Sequence, residues 1–410
     1  MIHTVAEAEE ALRTYIPRTP LKDHYTLDRM QAFLESLGDP QEKVRVVHIA
    51  GTSGKTSAAY FIRGLLQASG ARTGLTVSPH MVSVTERLQI DGAPVSDAAF
   101  VKYVNDFLPL VEKSGLRPTY FEIIIALAFW VFAREGVDFA IIETGLGGLL
   151  DATNTVRRTD KMCVITDIGL DHTDILGETI PEIAAQKAGI IQPGNIAVVQ
   201  NQPPEALDVI TRIADEQHAT LHIAHTAAGV QLPPFQQRNF GVALAAYTQL
   251  GRPAPTQKQI AAVALQTPPG RLEIYEIAGK TVILDGAHNA QKLQALREAL
   301  QARGVAKTAV MVNMVAAPRS KIDAALHVLR EFATDAIVPA FTIAQDFSNR
   351  YPISPADFAE RATDVGIATH AEPDVAAALH ALLARPETTV VITGSLYLVQ
   401  AVRPLLRDLT

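Results

Sequence analysis

Residues 51–57, Gly-Thr-Ser-Gly-Lys-Thr-Ser, follow an apolar run ending at Ala50 and precede an amphipathic stretch. Paired glycines let backbone N–H groups converge on an anion, and a helix starting there turns the positive end of its dipole to the same point. Gly51, Thr52, Ser53, Gly54, Lys55, Thr56 and Ser57 therefore read as a phosphate loop for ATP. Lys55 neutralises β- and γ-phosphate charge, and the Thr56 hydroxyl is suited to Mg²⁺. Ile49 stands where the usual form has its first glycine, so this loop is shorter. A Gly-rich turn with a solvent-facing lysine is the plainer alternative; a strand before and a helix after favour phosphate.

Three further segments place polar residues after apolar runs: Ser78-Pro79-His80, Glu143 leading into Thr144–Gly148, and Asp171-His172-Thr173. Open α/β sheets hold their ligands at the C-terminal ends of parallel strands, where all three fall. Ser78, Glu143 and His172, with Thr56, would suit a hard cation bridging ATP phosphates. Each also has a local reading: Ser78 starting a turn, Glu143 pairing with a lysine, His172 capping the next helix. Lys187 comes late in a helical stretch, where a lysine usually complements the dipole. Arg271 sits at a Pro-Pro-Gly break, from which its guanidinium could reach a γ-phosphate. Asp285 ends a strand and His288 opens a helix; Asp285 could equally cap the helix beginning at Ala290.

The elements that must position these residues follow from an alternation of Val/Ile-rich runs with amphipathic stretches, which argues for parallel sheets covered by helices. The spacing predicts strands at 44–50, 73–77, 139–144, 162–166 and 196–200, then at 282–285, 308–313, 336–339 and 389–393. A helix is expected from about 56 to 69, and the most periodic helices are 96–114, 121–135, 182–190 and 290–303. Thr267-Pro268-Pro269-Gly270 divides the two series, giving domains 1–268 and 269–410. The 410 residues are 48% apolar and 19% charged, with 36 basic and 43 acidic residues for a net charge of −7. That balance disfavours dedicated nucleic-acid binding. The longest apolar run, 123–133, is too short to span a membrane, and the first fifteen residues carry no signal-peptide core. One cysteine, Cys163, excludes an internal disulfide and a thiolate zinc site. A soluble enzyme of the cytoplasm acting on small molecules, without membrane or nucleic-acid partner and as a monomer, is the expectation.

Taken in order, Gly-Thr-Ser-Gly-Lys, Ser-Pro-His with Glu86-Arg87, Thr119-Tyr-Phe-Glu122, Glu143 with Gly-Leu-Gly-Gly-Leu-Leu-Asp151-Ala-Thr-Asn154, Asp171-His-Thr, Lys187-Ala-Gly, Pro-Gly-Arg271 and Asp285-Gly-Ala-His-Asn resemble the Mur ligase superfamily. Within it the chain is most similar to the folylpolyglutamate synthase and dihydrofolate synthase branch, from Tyr25–Met30 to Gly394–Tyr397. The resemblance implies an α/β fold: a phosphate-loop Mur ligase central domain on a mostly parallel sheet, then a Rossmann-like C-terminal domain. It implies ATP-dependent, Mg²⁺-dependent amide formation between a folate-type carboxylate (dihydropteroate or a reduced folate) and L-glutamate, through an acyl phosphate. By the same resemblance Ser78, Glu143 and His172 go to Mg²⁺, Lys187 matches a lysine that can carry a carbamate, and Asn239 matches an adenine contact. Asp285 matches a ribose contact with His288 beside it; Phe121, Asp151 and Ala152 line a pterin pocket that residues 19–29 cover.

The chain departs from the family pattern at Thr56, where the branch has glycine, at Leu149, where it has arginine, and at 316–321, where an acid-lysine-acid turn is expected. The first keeps the chemistry; the other two bear on the amino-acid substrate. Two rival readings are a Mur-like ligase for a non-folate carboxylate and an ATP-hydrolysing switch. Cell-wall ligases carry a further domain before the loop, where this chain has about fifty residues, and a switch needs no acceptor domain.

Overall fold

A computed structural model describes residues 1–16, 26–343 and 351–409. The chain divides into two compact units, Met1–Leu232 with Gln236–Gln266, and Pro233–Phe235 with Thr267–Thr410.

The first unit holds β1 (Arg45–Ala50), β2 (Thr73–Thr76), β3 (Gln89–Ile90), β4 (Ala93–Pro94), β5 (Phe139–Glu143), β6 (Met162–Ile165), β7 (Ile196–Gln200) and β8 (Thr220–Ala224). They form one sheet in the order β4-β3-β2-β5-β1-β6-β7-β8. The run from β2 to β8 is parallel, and β3 and β4 add an antiparallel edge. Strand residues point to alternate faces, and both faces are buried. Val47, Ile49, Ile141 and Val164 pack under the helices Lys55–Ala68 and Pro234–Gln249; Ala50, Cys163 and Ile165 pack under the helices Ile180–Ala188 and Pro204–Glu216. Phe61 and Phe240 meet edge to face at 5.1 Å, a contact worth about 0.5–1.5 kcal/mol beyond the area it buries. This clamps the helix after the phosphate loop to the one that carries Asn239. Burial raises the Cys163 thiol to about 11, so it stays protonated and inert at neutral pH.

The second unit holds β9 (Glu273–Ile277), β10 (Lys280–Leu284), β11 (Thr308–Val312), β12 (Ala333–Pro339), β13 (Thr369–Glu372) and β14 (Thr389–Thr393). Their order is β13-β12-β11-β14-β10-β9, parallel except for the β9–β10 hairpin. All nine runs expected as strands form within a few residues of the predicted bounds. The strands that the pattern did not reveal are β3, β4, β8, β9 and β13. The first two are two residues long, and β8, β9 and β13 lie at sheet edges with partly exposed faces. Edge strands need no continuous apolar run and often carry polar residues.

Candidate active site

The sharp turn out of β1 needs its glycines. Gly51 has φ +150° and Gly54 φ +89°, backbone that side chains rarely adopt. A β-carbon at residue 54 would lie 2.2 Å from Asn239 Oδ1, so Gly54 lets Asn239 approach the loop. Gln236 continues the contact, accepting from Asn239 Nδ2 at 3.1 Å and donating to Ser57 Oγ at 3.2 Å. On the other side, Thr52 N donates to Asp167 O at 2.8 Å, and Thr52 Oγ1 donates to Gly169 O at 3.0 Å. The loop is thus held between the segment after β6 and the helix bearing Asn239.

At the end of β5, Glu143 is 3% exposed. The Thr56 hydroxyl donates to its two oxygens at 3.0 and 3.1 Å, and Ser78 N donates at 3.4 Å. Among the described residues no three His, Cys, Asp or Glu side chains gather into a metal cage. A hydroxyl and a buried carboxylate beside a phosphate loop nevertheless fit Mg²⁺, which is commonly held by one or two carboxylates with water and substrate phosphates. His172 stands at the start of the short helix Thr173–Leu176 with φ +50° and makes no side-chain cap there.

Lys187 belongs to the helix Ile180–Ala188 and is 4% exposed, so it does not face solvent. Its Nζ donates to Gly51 O at 3.1 Å, and Lys55 Nζ donates to the same oxygen at 3.0 Å. Two lysines from different elements therefore meet at the phosphate loop. The end of the Lys187 helix is fixed by the Gly-rich loop after β5: Leu149 N donates to Gln186 O at 2.7 Å, and Asn154 Nδ2 donates to Leu149 O and Gly189 O. A β-carbon at Gly148 would lie 2.8 Å from Gln186 O. Leu149, the departure from arginine, is an exposed apolar residue on this loop.

Asp151 folds back under the same loop, its carboxylate accepting from Leu146 N at 2.8 Å, Thr153 N at 3.0 Å and Thr153 Oγ1 at 2.5 Å. Burial raises its pKa, and these hydrogen bonds oppose the rise. The chain of contacts reaches His48 on β1, whose Nε2 lies 2.7 Å from Thr153 Oγ1. Burial, then the charge of Lys161, holds His48 well below its ordinary pKa. Sequence reasoning missed His48, although it is the one polar residue inside the apolar run 46–50. Ala152 is buried beside Asp151, whereas Phe121 is only half-buried on an otherwise buried helix face. The Phe121 ring tip lies against Gly145, where a β-carbon would come within 2.5 Å of Cζ. Glu122 of the same motif is structural: it caps its own helix through Thr119 N and pairs with Arg29 at 2.9 Å. Most of the covering segment 19–29, namely 19–25, lies outside the described residues.

In the second unit Asp285 does not cap the helix Ala290–Ala302; Asn289 does, accepting from Lys292 N. Asp285 instead accepts from Leu272 N and Ala287 N at 2.9 Å each. Burial raises its pKa, opposed first by the charge of Arg271. His288 Nδ1 lies 2.8 Å from Gly286 O, and its Nε2 lies 3.1 Å from Lys292 Nζ. The altered segment 316–321 is the turn from β11 into the helix Arg319–Arg330, with Arg319 paired to Asp323 and Asp364.

Fold and site together define a nucleotide-binding α/β enzyme built on a phosphate loop. The Mur ligase middle domain family matches residues 49–248, and the family described as "Dihydrofolate synthetase, C-terminal domain" matches residues 271–407. The dihydrofolate synthase/folylpolyglutamate synthase of Bacillus subtilis is 32% identical over 427 residues, covering 93% of this chain and 95% of that protein. Among solved structures, Mycobacterium tuberculosis folylpolyglutamate synthase complexed with ADP and AMPPCP superposes with a TM-score of 0.84 at 28% identity, covering 98% of this chain and 99% of that one. The bifunctional enzyme of Yersinia pestis, complexed with AMPPNP and a Mn ion, gives 0.84 at 26% identity, covering 99% and 98%. The chain belongs to the dihydrofolate synthase/folylpolyglutamate synthase family.

Proposed function

We propose that this protein is an ATP-dependent ligase that joins L-glutamate to a folate-type carboxylate, dihydropteroate or a reduced folate. A carboxylate does not acylate an amine at neutral pH, because oxide would have to leave. Attack of the carboxylate oxygen on the γ-phosphorus releases ADP and makes an acyl phosphate. The glutamate amine then attacks the acyl carbon, loses a proton and expels inorganic phosphate. Catalysis of such steps is mainly positioning and charge neutralisation.

The observation that carries this reading is the convergence of Lys55, Lys187, Thr56 and Glu143 at one phosphate loop. Lys55 offsets phosphate charge; Thr56, Glu143, Ser78 and His172 would hold Mg²⁺, which when bound neutralises the phosphate oxygens. Asn239 serves the adenine, Asp285 and His288 the ribose side, and Arg271 a phosphate. Phe121, Asp151 and Ala152 serve the pterin, a role that the half-buried ring of Phe121 supports. In the same proposal residues 1–268 carry ATP and pterin functions, residues 269–410 carry glutamate ligation, and the enzyme works as a cytoplasmic monomer. Among the described residues no helix is long and apolar enough to cross a membrane.

The test is phosphate release from ATP and Mg²⁺ with glutamate and, in parallel, dihydropteroate, tetrahydrofolate or a uridine-linked peptide precursor. Release stimulated by a pterin substrate is expected, and stimulation by the peptide precursor alone would overturn the folate reading. Lys55→Ala should reduce turnover by about 10²–10³, the usual scale for losing a charge-stabilising contact. Near-normal turnover in the folded variant would remove the phosphate-loop assignment.

A further inference from the structure

Arg271 stands between two residues in left-handed backbone, Gly270 at φ +69° and Leu272 at φ +50°. Leucine rarely adopts that conformation, and surrounding contacts must hold it there. Two carboxylates do so. Leu272 N donates to Asp285 Oδ2 at 2.9 Å, and Gly270 N donates to Glu273 Oε2 at 3.0 Å. Gly270 O in turn accepts from Gly286 N at 3.0 Å. The guanidinium is located as well, since a β-carbon on Gly286 would fall 3.2 Å from Arg271 Nη1. Arg271 thus lies along the turn that carries Asp285.

Asp285 already has a nucleotide role in the reading above, whereas Glu273 has none. Its carboxylate is nonetheless fixed from a second side. Arg403, on the helix Leu396–Asp408, donates through Nε to both Glu273 oxygens at 3.0 and 3.1 Å, and Tyr275 OH donates at 2.7 Å. The Arg403 side chain is 9% exposed. A pair that merely stapled this helix to the edge strand β9 would need no contact with the residue preceding Arg271.

We infer that Glu273, held by Arg403, is a positioning residue that sets the Arg271 turn and so aims its guanidinium at the phosphate it serves. The inference rests on the phosphate role proposed for Arg271. Misplacing a contact by about 1 Å can lower turnover by about 10², so Glu273→Ala and Arg403→Met should each lower kcat by about 10- to 100-fold. Arg403→Lys, which keeps the charge, should recover part of the loss.

The test is a double-mutant cycle on the full chain in the phosphate-release assay with dihydropteroate and glutamate, with kcat and the KM for ATP read separately and thermal unfolding as a folding control. If Glu273 acts through Arg271, Arg271→Ala and the double variant Arg271→Ala/Glu273→Ala should have the same kcat. Losses that multiply in the double variant would overturn the inference alone, as would wild-type kcat in a folded Glu273→Ala. Full activity of Arg271→Ala would overturn the phosphate role itself and the inference with it. Should Glu273→Ala fail to fold, Glu273→Gln carries the same cycle, since it keeps the shape and removes the charge that Arg403 holds.

Discussion

Lys187 reaches Gly51 O from inside the protein, and that position sets its chemistry. A protonated amine there would share the loop with Lys55 and repel any cation bound at Thr56 and Glu143. Reaction of the neutral amine with CO₂ forms a carbamate, an anionic oxygen donor of the kind hard cations prefer. Carbamylation of Lys187 is therefore expected in the active enzyme. Lys187→Ala should lose activity and regain part of it with added acetate, while Lys187→Arg should stay inactive. Full activity of the alanine variant without acetate would show that the lysine serves only its helix.

At the scale of elements, the helix Tyr120–Glu135 presents ten buried residues after Phe121 in a nearly unbroken stretch, yet leaves Phe121 itself half-exposed beside Gly145. Phe121→Ala should raise the KM for dihydropteroate several-fold, as expected from losing about 0.5–1.5 kcal/mol of stacking, with the KM for ATP nearly unchanged. Equal effects on both would assign the ring to packing. The phosphate loop, the central strands and the residues after them were legible because buried parallel strands are near-continuous apolar runs and their polar ends interrupt the pattern. The local sequence around Glu143 could not say whether it meets a lysine or a hydroxyl, since Thr56 comes from another strand's loop. His48 escaped for a similar reason: its partner Thr153 lies far along the chain, and a histidine within an apolar strand reads locally as packing. The turn around Arg271 was visible as Pro-Pro-Gly, but Arg403, which contacts it through Glu273, lies on the last helix and carries no local signal.

Across the whole molecule, His48 links the site to stability. Its folded-state pKa lies well below the ordinary 6.5 because it is buried, with Lys161 adding to the effect. The unfolded chain takes up a proton near pH 6.5 that the folded protein refuses. Its stability is therefore undiminished above that pH and falls below it, by about 1.4 kcal/mol per pH unit until the folded-state pKa is reached. Urea midpoints should drop more steeply from pH 7.5 to 5.5 in the wild type than in His48→Gln; parallel curves would exclude His48 as the source. The strand carrying His48 also governs how the chain comes together during synthesis. β1 lies at the middle of its sheet, with Arg45 beside Phe139 and Val47 beside Met162. Its five buried residues emerge from the ribosome long before either neighbour exists, and loop closure must precede the reward of pairing. Until β5 and β6 arrive, the nascent chain displays this largely apolar strand with both edges open, which makes the segment a natural target for a chaperone that binds exposed apolar backbone.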